Sequence, residues 1–376
     1  MREAWAEINL EAIRKNIRYL MSNLKPETKF MGVVKADAYG HGAVQVAKIL
    51  KDEGASHFAV AIVEEGVELR QAGFEEPILI LGNTFEKDYG LLSRYCLMPT
   101  VFTMEQARAL NAFGGKNKEK MRAHLKVDTG MGRLGFMLNK DTIPQIQTIT
   151  EMQYLEVEGI FSHLATAPQV SKPEYAKEQF QRFTSLLEEL EKENIRIPLR
   201  HLSNSAATIL YPEMQLDMVR PGTAIYGLYP GPELEVISEI RLFPGMEVKA
   251  RLAHVKPCPA GTKVSYDSSF ETSRTSILGV VPMGYVDGVF RSLANCGEVL
   301  LHGKRCPMVG NVCMDQFVID ITDVEEPKVG DEVVFIGAQG NERISAEEAG
   351  RKAGTISIEV LCGLGKRMPL QWIGSN

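Results

Sequence analysis

In the stretch FMGVVKADAYGHG, Phe30 to Gly42, a lysine follows four residues, Met31 to Val34, with the apolar character of a buried strand. A lysine held against apolar walls has its ammonium form destabilised, and a neutral amine can attack a carbonyl to form a Schiff base. The ordinary alternative is a structural lysine whose stem packs while its amine reaches water. Other polar residues stand at equivalent places, at the ends of short apolar runs: Glu64 with Glu65, Asn83, Lys126 with Asp128, His163, Ser203-Asn204-Ser205, and Arg220. Any one could mark a strand emerging into solvent; together they read as a polar rim on apolar strands. Ser203-Asn204-Ser205 and RPGTA, Arg220 to Ala224, combine hydroxyls with a glycine, as backbone cradles for phosphate do. A Schiff-base lysine after the first strand and a phosphate cradle after the last two describe a site for pyridoxal 5'-phosphate (PLP), with Arg220 in reach of the pyridine nitrogen.

The elements that must position these residues alternate. Eight candidate strands precede residue 230: FMGVVKADA, HFAVAIVEE, PILILGNT, MPTVF, RAHLKVDTG, VEGIFSHLAT, PLRHLSNSAA and LDMVRPGTAIYG. Helical periodicity lies between them, most plainly after Ser171. There Ser171 and Glu174 have capping-box spacing, and Ala176, Phe180, Phe183, Leu187 and Leu190 share one face. The pattern predicts a (β/α)8 TIM-type barrel and is also compatible with a doubly wound open sheet. After about Pro232 the helical period stops. MEVKARLAHVKPC, SILGVVPMGY, GEVLLHG, DQFVIDITDV and DEVVFIG, separated by Gly, Pro, Asn and Asp, predict a mainly β C-terminal domain beyond a linker LYPGPELE, Leu228 to Glu235.

At 376 residues, 44% hydrophobic and 24% charged, the chain has ordinary globular composition. A net charge of −6 without a basic tract argues against nucleic acid or an anionic membrane as partner and leaves a small molecule as the default ligand. Six scattered cysteines without CxxC spacing argue against zinc or another metal and against a disulfide framework. The N-terminal residues MREAWAEINLEAIRKNIRYL mix acids and bases and lack the apolar core of a signal peptide, so a cytoplasmic protein is expected.

The sequence resembles the alanine racemase family over nearly its whole length. VVKADAYGHG is similar to that family's cofactor-lysine motif, and LKVDTGMGRLG, HLSNSAA, RPGTAIYG, VSYD, GYVDG and GNVCMDQ follow in the family's order. The resemblance implies a PLP-dependent isomerase that interconverts L- and D-alanine, supplying D-alanine for peptidoglycan. It implies residues 1–10 as a strand joining the C-terminal domain, residues 11–232 as the PLP-binding barrel and residues 233–376 as the β domain. It also implies a head-to-tail homodimer whose active sites take residues from both subunits. Carried over, Lys35 resembles the cofactor lysine and first base, and Tyr39 the tyrosine next to the phosphate. Asn204, Ser205, Gly222 and Thr223 match the phosphate cradle, Arg220 the arginine facing the pyridine nitrogen, and His163 the histidine bridging that arginine to the second base. That base is Tyr266, supplied by the other subunit; Met314 resembles the residue whose backbone N–H holds the substrate carboxylate. Arg133 fits the arginine near the cofactor phenolic oxygen, and Lys126 the lysine that relatives often carry as a carbamate. Two bases on opposite faces are what racemisation requires, since one removes the α-proton and the other returns one. A tyrosine acting near neutrality needs its phenolate stabilised by about 4 kcal/mol. The full run of motifs and Tyr266 argue against a PLP-barrel decarboxylase, and the β domain against a single-domain protein of cofactor homeostasis.

Three positions depart from the family pattern. TISIEV places Ile358 where the family has a tyrosine, HLATAP places Pro168 where it has an acid, and GNVCMD places Asn311 where an arginine is common. All three belong to the family's substrate entryway, where Tyr285 and Arg291 are retained. Loss of the hydroxyl at Ile358 opens room beside the substrate side chain, so a serine or broad-spectrum racemase is the alternative to one preferring alanine. Asp267, after Tyr266, also stands where glycine is common.

Overall fold

The computed structural model describes residues 3–237, 239–365 and 367–374. The chain forms two compact units, one of Arg14–Ala38 and Ala43–Leu242, the other of Met1–Ile13, Tyr39–Gly42 and Phe243–Asn376.

The first strand, β1 (Ala4–Asn9), belongs to the second unit. The first unit contains β2 (Lys29–Val33), β3 (His57–Val60), β4 (Ile78–Ile80), β5 (Leu97–Val101), β6 (Met121–Asp128), the short β7 (Phe136–Met137), β8 (Leu155–Phe161), β9 (Leu199–His201) and β10 (Met218–Val219). All pairings among them are parallel. Two junctions separate a barrel from an open sheet. Strand β5 pairs with β6 (Thr100↔His124), and β10 returns to β2 (Val219↔Phe30), so eight strands close and β7 is an appendage on β6. Strands β3, β4 and β5 are buried throughout, the continuous apolar character of parallel strands covered on both faces.

Two local expectations are corrected. The segment FMGVVKADA is a strand only to Val33; Ala36, Asp37, Ala38 and Tyr39 then adopt φ of 53°, 51°, 53° and 55°, followed by Gly40 at 82°, a left-handed turn from Lys35 to Gly40. The helix Glu174–Lys192 buries Ala176, Phe183, Leu187 and Leu190, but the Ser171–Glu174 capping box does not form. Pro173 is the N-cap, and Ser171 donates from its backbone N–H and its hydroxyl to the Glu233 carboxylate at 2.6 and 2.9 Å.

In the second unit β1 pairs antiparallel with Met246–Arg251 (Trp5↔Lys249) and parallel with Leu370–Ile373 (Ile8↔Trp372), within a ten-stranded sheet. Two helices, Ala346–Ala353 and Ser357–Cys362, interrupt this mainly β unit. A two-stranded hairpin, Lys263–Val264 with Phe270–Glu271, carries Tyr266 in its loop. Its base is anchored where Val264 joins Cys258, Leu278 and Val309 in a small apolar core against which Phe270 packs. Among the described residues, no helix is long and apolar enough to cross a membrane.

Candidate active site

Because all eight barrel strands are parallel, their carboxyl ends share one end of the barrel, and the sequence-predicted rim falls there. Lys35 is half-buried and opens the left-handed turn. Left-handed backbone costs a non-glycine residue about 1–2 kcal/mol, so a run of four needs support. Glu65 supplies it: one carboxylate oxygen accepts the Ala36 N–H at 2.6 Å, the other the N–H groups of Ala61 at 2.7 Å and Ile62 at 3.3 Å. Asp37 Oδ1 accepts from the Ala43 N–H at 2.7 Å. Glu65 was legible as a rim carboxylate; its role under Lys35 was not. Asn83 is engaged elsewhere, accepting from Gln106 Nε2 at 2.5 Å.

Across the rim lies a buried group of cations. Arg220, 4% exposed, donates to His201 Nδ1 at 2.8 Å and to the carbonyls of Ser162 and Leu202 at 2.7 and 3.2 Å, and its Nη2 lies 3.5 Å from His163 Nδ1. These contacts are all to neutral acceptors. Burial pushes its pKa down to about 9, which leaves it charged at neutral pH. Burial, then Arg133 and Arg220, bring Lys126 down to about 8. His163 is driven well below its ordinary value by burial and by Arg220, Arg133, Lys126 and Lys35 in turn, so it is neutral. Since a guanidinium only donates, His163 Nδ1 is the acceptor and Nε2 carries the proton.

The same argument runs inward. His201 accepts from Arg220 at Nδ1 and therefore donates from Nε2 to His124 Nδ1, 2.8 Å away. Burial first, then neighbouring positive charge, keeps both imidazoles neutral, His124 at about 3. Phe161 completes the packing. Its ring stacks on His201 at 4.8 Å and 6°, with Arg220 Cζ 5.0 Å and Lys126 Nζ 5.4 Å from its centroid, a cation–π pair that partly replaces lost hydration. Gln179, fully buried on the helix Glu174–Lys192, donates to the His163 carbonyl at 3.1 Å and accepts from the Ala165 N–H at 2.8 Å. Sequence reasoning missed His124, Phe161, Gln179 and His201.

Asp128 faces this group but is occupied. Burial would raise its carboxyl, yet the N–H groups of Gly130, Gly132, Arg133 and Met131 hold it below the usual carboxylate value. Those bonds, 2.8–3.2 Å, shape the loop that carries the exposed Arg133. At the ends of β9 and β10, Asn204 caps a short helix by accepting from the Ala207 N–H at 3.1 Å. Ser205 Oγ accepts from the N–H groups of Gly222 at 2.8 Å and Ala224 at 3.3 Å, which leaves its own proton to donate. Gly222 precedes Thr223, where a single 3-10 turn begins. Pro168 is half-buried against Gly231, where a Cβ would come within 2.6 Å of the proline ring.

The second unit presents its residues differently. Tyr266, Met314 and Tyr285 are 70%, 52% and 42% exposed. The Gly284 backbone lies so close to the Met314 carbonyl that a Cβ would approach it to 2.2 Å, and the Tyr285 N–H donates to the Cys313 carbonyl at 3.0 Å. Asp287, fully buried, accepts from the Gly284 N–H at 3.0 Å and pairs with Arg367, which also reaches Asp315, so the loops bearing Tyr285 and Met314 are tied together. Arg291 is exposed, and Ile358 is half-buried on the helix Ser357–Cys362. Asn311 lies against the Tyr266 turn, donating to the Tyr266 carbonyl at 2.9 Å. Tyr39 is buried, and burial followed by the neighbouring Cys362 raises its phenol, which stays a neutral hydroxyl.

The cation group tests which ligand the barrel suits. Beyond burial, Arg133, Arg220 and Lys35 depress Lys126, and the same three with Lys126 depress His163, while the Asp128 carboxylate is committed to four backbone N–H groups. An anion is the ligand that relieves this repulsion. PLP, with a phosphate, a phenolate and an aldehyde for a lysine, fits the residues present. Fold and site are those of a PLP-barrel enzyme joined to a β unit.

Comparison with known proteins narrows the class. Residues 8–230 match the alanine racemase N-terminal domain and residues 245–372 the alanine racemase C-terminal domain. An alanine racemase of Methanococcus maripaludis is 45% identical over 365 residues, 97% of each chain. The alanine racemase structure from Clostridium difficile 630 matches with a TM-score of 0.94 at 36% identity, covering 99% of this chain and 96% of that one. That from Bartonella henselae, which holds covalently bound pyridoxal phosphate, matches with a TM-score of 0.89 at 30% identity, covering 99% and 100%. The chain belongs to the alanine racemase family, whose members are PLP-dependent isomerases.

Proposed function

We propose that this chain interconverts L- and D-alanine with PLP by a two-base mechanism in a homodimer. The observation that carries the reading is the buried Arg220, held by neutral acceptors beside Lys126 and His163 at the barrel end that also bears Lys35. Bound there, PLP supplies an electron-withdrawing ring that acidifies the substrate α-C–H. Lys35 would carry the cofactor, with Ser205, Gly222, Thr223, Asn204 and Tyr39 assigned to its phosphate. Arg220 offers donors to the pyridine nitrogen. An arginine there discourages ring protonation, which limits how far negative charge spreads and so suppresses transamination.

Lys35 Nζ and Tyr266 Oη are the two groups that take and return the α-proton on opposite faces. His163, protonated at Nε2, has a hydrogen bond to give a phenolate, while Arg220 behind it adds positive charge. The lowered pKa of Lys126 enlarges its neutral fraction, the form that adds carbon dioxide and sheds a proton to become a carbamate, and that new anion would orient Arg133 and lower the local positive charge. Met314 is assigned to the substrate carboxylate. The exposure of Tyr266 and Met314 supports their delivery to the other subunit of a dimer. The relatives and structures compared are alanine racemases, which favours alanine over the serine or broad-spectrum alternative. D-alanine supply for peptidoglycan and a cytoplasmic location follow from this reading.

Mixing two inactive variants tests the shared site. Lys35→Ala and Tyr266→Phe, each dead alone, should together recover up to about a quarter of wild-type sites, because random dimers place one intact lysine and one intact tyrosine in half of the assemblies. No recovery on verified subunit exchange would count against a site built from two subunits.

A further inference from the structure

The loop carrying Tyr266 holds an unfavourable backbone. Ser265, Asp267 and Ser268 have φ of 66°, 61° and 50°, and none is glycine. Asp267, at ψ 7°, is in the left-handed region that aspartate tolerates better than most residues, whereas Ser265, at ψ −175°, is in an extended positive-φ region almost confined to glycine, and each such residue costs on the order of 1 kcal/mol unless its surroundings impose it. Here the surroundings are chiefly one residue. Asn311 Nδ2 donates to the Tyr266 carbonyl at 2.9 Å and to Asp267 Oδ2 at 3.1 Å, while the Asn311 carbonyl accepts from Ser265 Oγ at 2.6 Å. Three successive residues of the turn are thereby stitched to one asparagine from a different loop. Asn295 braces that loop in turn, accepting from the Gly310 N–H at 2.6 Å and donating to the Ser269 carbonyl at 3.2 Å.

We propose that Asn311 and Asp267 form a positioning pair that aims the Tyr266 phenol for proton transfer; this rests on the reading of Tyr266 as the second base. With 70% of Tyr266 exposed, packing within its own chain does little to direct the side chain, so its direction is set at the backbone. Asn311 fixes the peptide that follows Tyr266 through its carbonyl, and the charged acceptor on Asp267 strengthens the same grip. The two departures from the family pattern thus explain each other. Asp267 alone would strain a position that suits glycine, and its carboxylate gains the Asn311 N–H in exchange. Proton transfer is sensitive to such aim, since a displacement of about 1 Å can cost about a hundredfold in rate.

The experiment uses the PLP-loaded, full-length protein with Asn311→Ala, Asp267→Gly, the double variant and Tyr266→Phe. Asn311→Ala should lower kcat by about ten- to a hundredfold with KM for alanine little changed. The primary isotope effect with α-deuterated alanine should rise for the enantiomer whose proton Tyr266 removes and fall for the other, because one proton transfer alone has been slowed. Adding Asp267→Gly to Asn311→Ala should recover several-fold of the loss, since glycine removes the strain left unsupported. In cofactor-free protein, amide hydrogen exchange across residues 263–271 should quicken on Asn311→Ala. A lower melting temperature with both isotope effects and the exchange of this hairpin unchanged would reduce Asn311 to a structural residue and overturn the proposal. The Tyr266→Phe control separates the two failures. If it racemises at the wild-type rate, the base assignment itself falls; if it is inactive while Asn311→Ala keeps both isotope effects, only the positioning pair falls.

Discussion

The two units equip their functional residues by opposite means. In the barrel, Arg220, Lys126, His124 and His201 are buried, and the structure around them is spent on compensating charge: neutral imidazoles, backbone carbonyls and the face of Phe161. In the β unit, Tyr266, Met314 and Tyr285 remain exposed, and the structure behind them fixes backbone instead, through Asn311, Gly284 and Asp287. The difference teaches where each environment comes from. Buried cations carry their electrostatics within one fold, whereas exposed side chains on braced loops take from their own unit only direction. Variants in the barrel should therefore change chemistry and stability together, and variants in the β unit should change chemistry with little loss of stability.

The largest effect is expected at Lys35. Lys35→Ala should reduce racemisation by about 10⁴-fold or more and abolish the cofactor's covalent absorbance, both readable in one spectrophotometric assay. Arg220→Glu should come next, lowering racemisation by about a hundredfold or more while raising the half-transamination product. An unchanged product spectrum would break the assigned contact with the ring nitrogen. It should also destabilise the barrel, because the carboxylate would be buried without the donors that a guanidinium supplied to His201 and two carbonyls.

Glu65→Ala sharpens the contrast on stability. It removes the charged acceptor shared by the N–H groups of Ala36, Ala61 and Ile62 and should cost about 1–3 kcal/mol in urea unfolding, with weaker cofactor retention. Tyr266→Phe, by contrast, should leave unfolding within about 0.5 kcal/mol of wild type. The last effect concerns pH. The Lys126 ammonium is destabilised in the folded protein to about 8, below the roughly 10.4 of an unfolded lysine. Between these values the unfolded chain binds more protons, so stability should rise with pH across that window, by no more than about 3 kcal/mol, and be flat with respect to this group below it. Lys126→Met should remove the rise, as urea titrations in carbonate-free buffer would measure.

The barrel and its rim were legible to different depths. Strand existence was readable because parallel strands covered on both faces are continuous apolar runs, and β3, β4 and β5 are such runs. Closure was not, because the pairs Thr100↔His124 and Val219↔Phe30 join elements whose local sequences suit an open sheet equally well. The left-handed turn after Lys35 escaped notice since Ala36, Ala38 and Tyr39 have no preference for positive φ. The capping box at Ser171 was a real pattern overridden by a tertiary acceptor, Glu233. The helix Ala346–Ala353 was passed over because its buried face, Ala346, Ala349 and Gly350, carries almost no hydrophobic signal.

Residue types and their order along the chain determined the reaction class: a lysine after the first strand, hydroxyls and a glycine after the last two, and a tyrosine motif in the β unit. Those are covalent facts, and chemistry of this kind needs particular functional groups whatever surrounds them. The tertiary structure alone decided the protonation states and directions of those groups. His163 is neutral because it is buried among cations from separate strands, and Tyr266 is aimed by an asparagine 45 residues later in the chain. Both depend on which distant residues meet in space and on how much water they lose when they do.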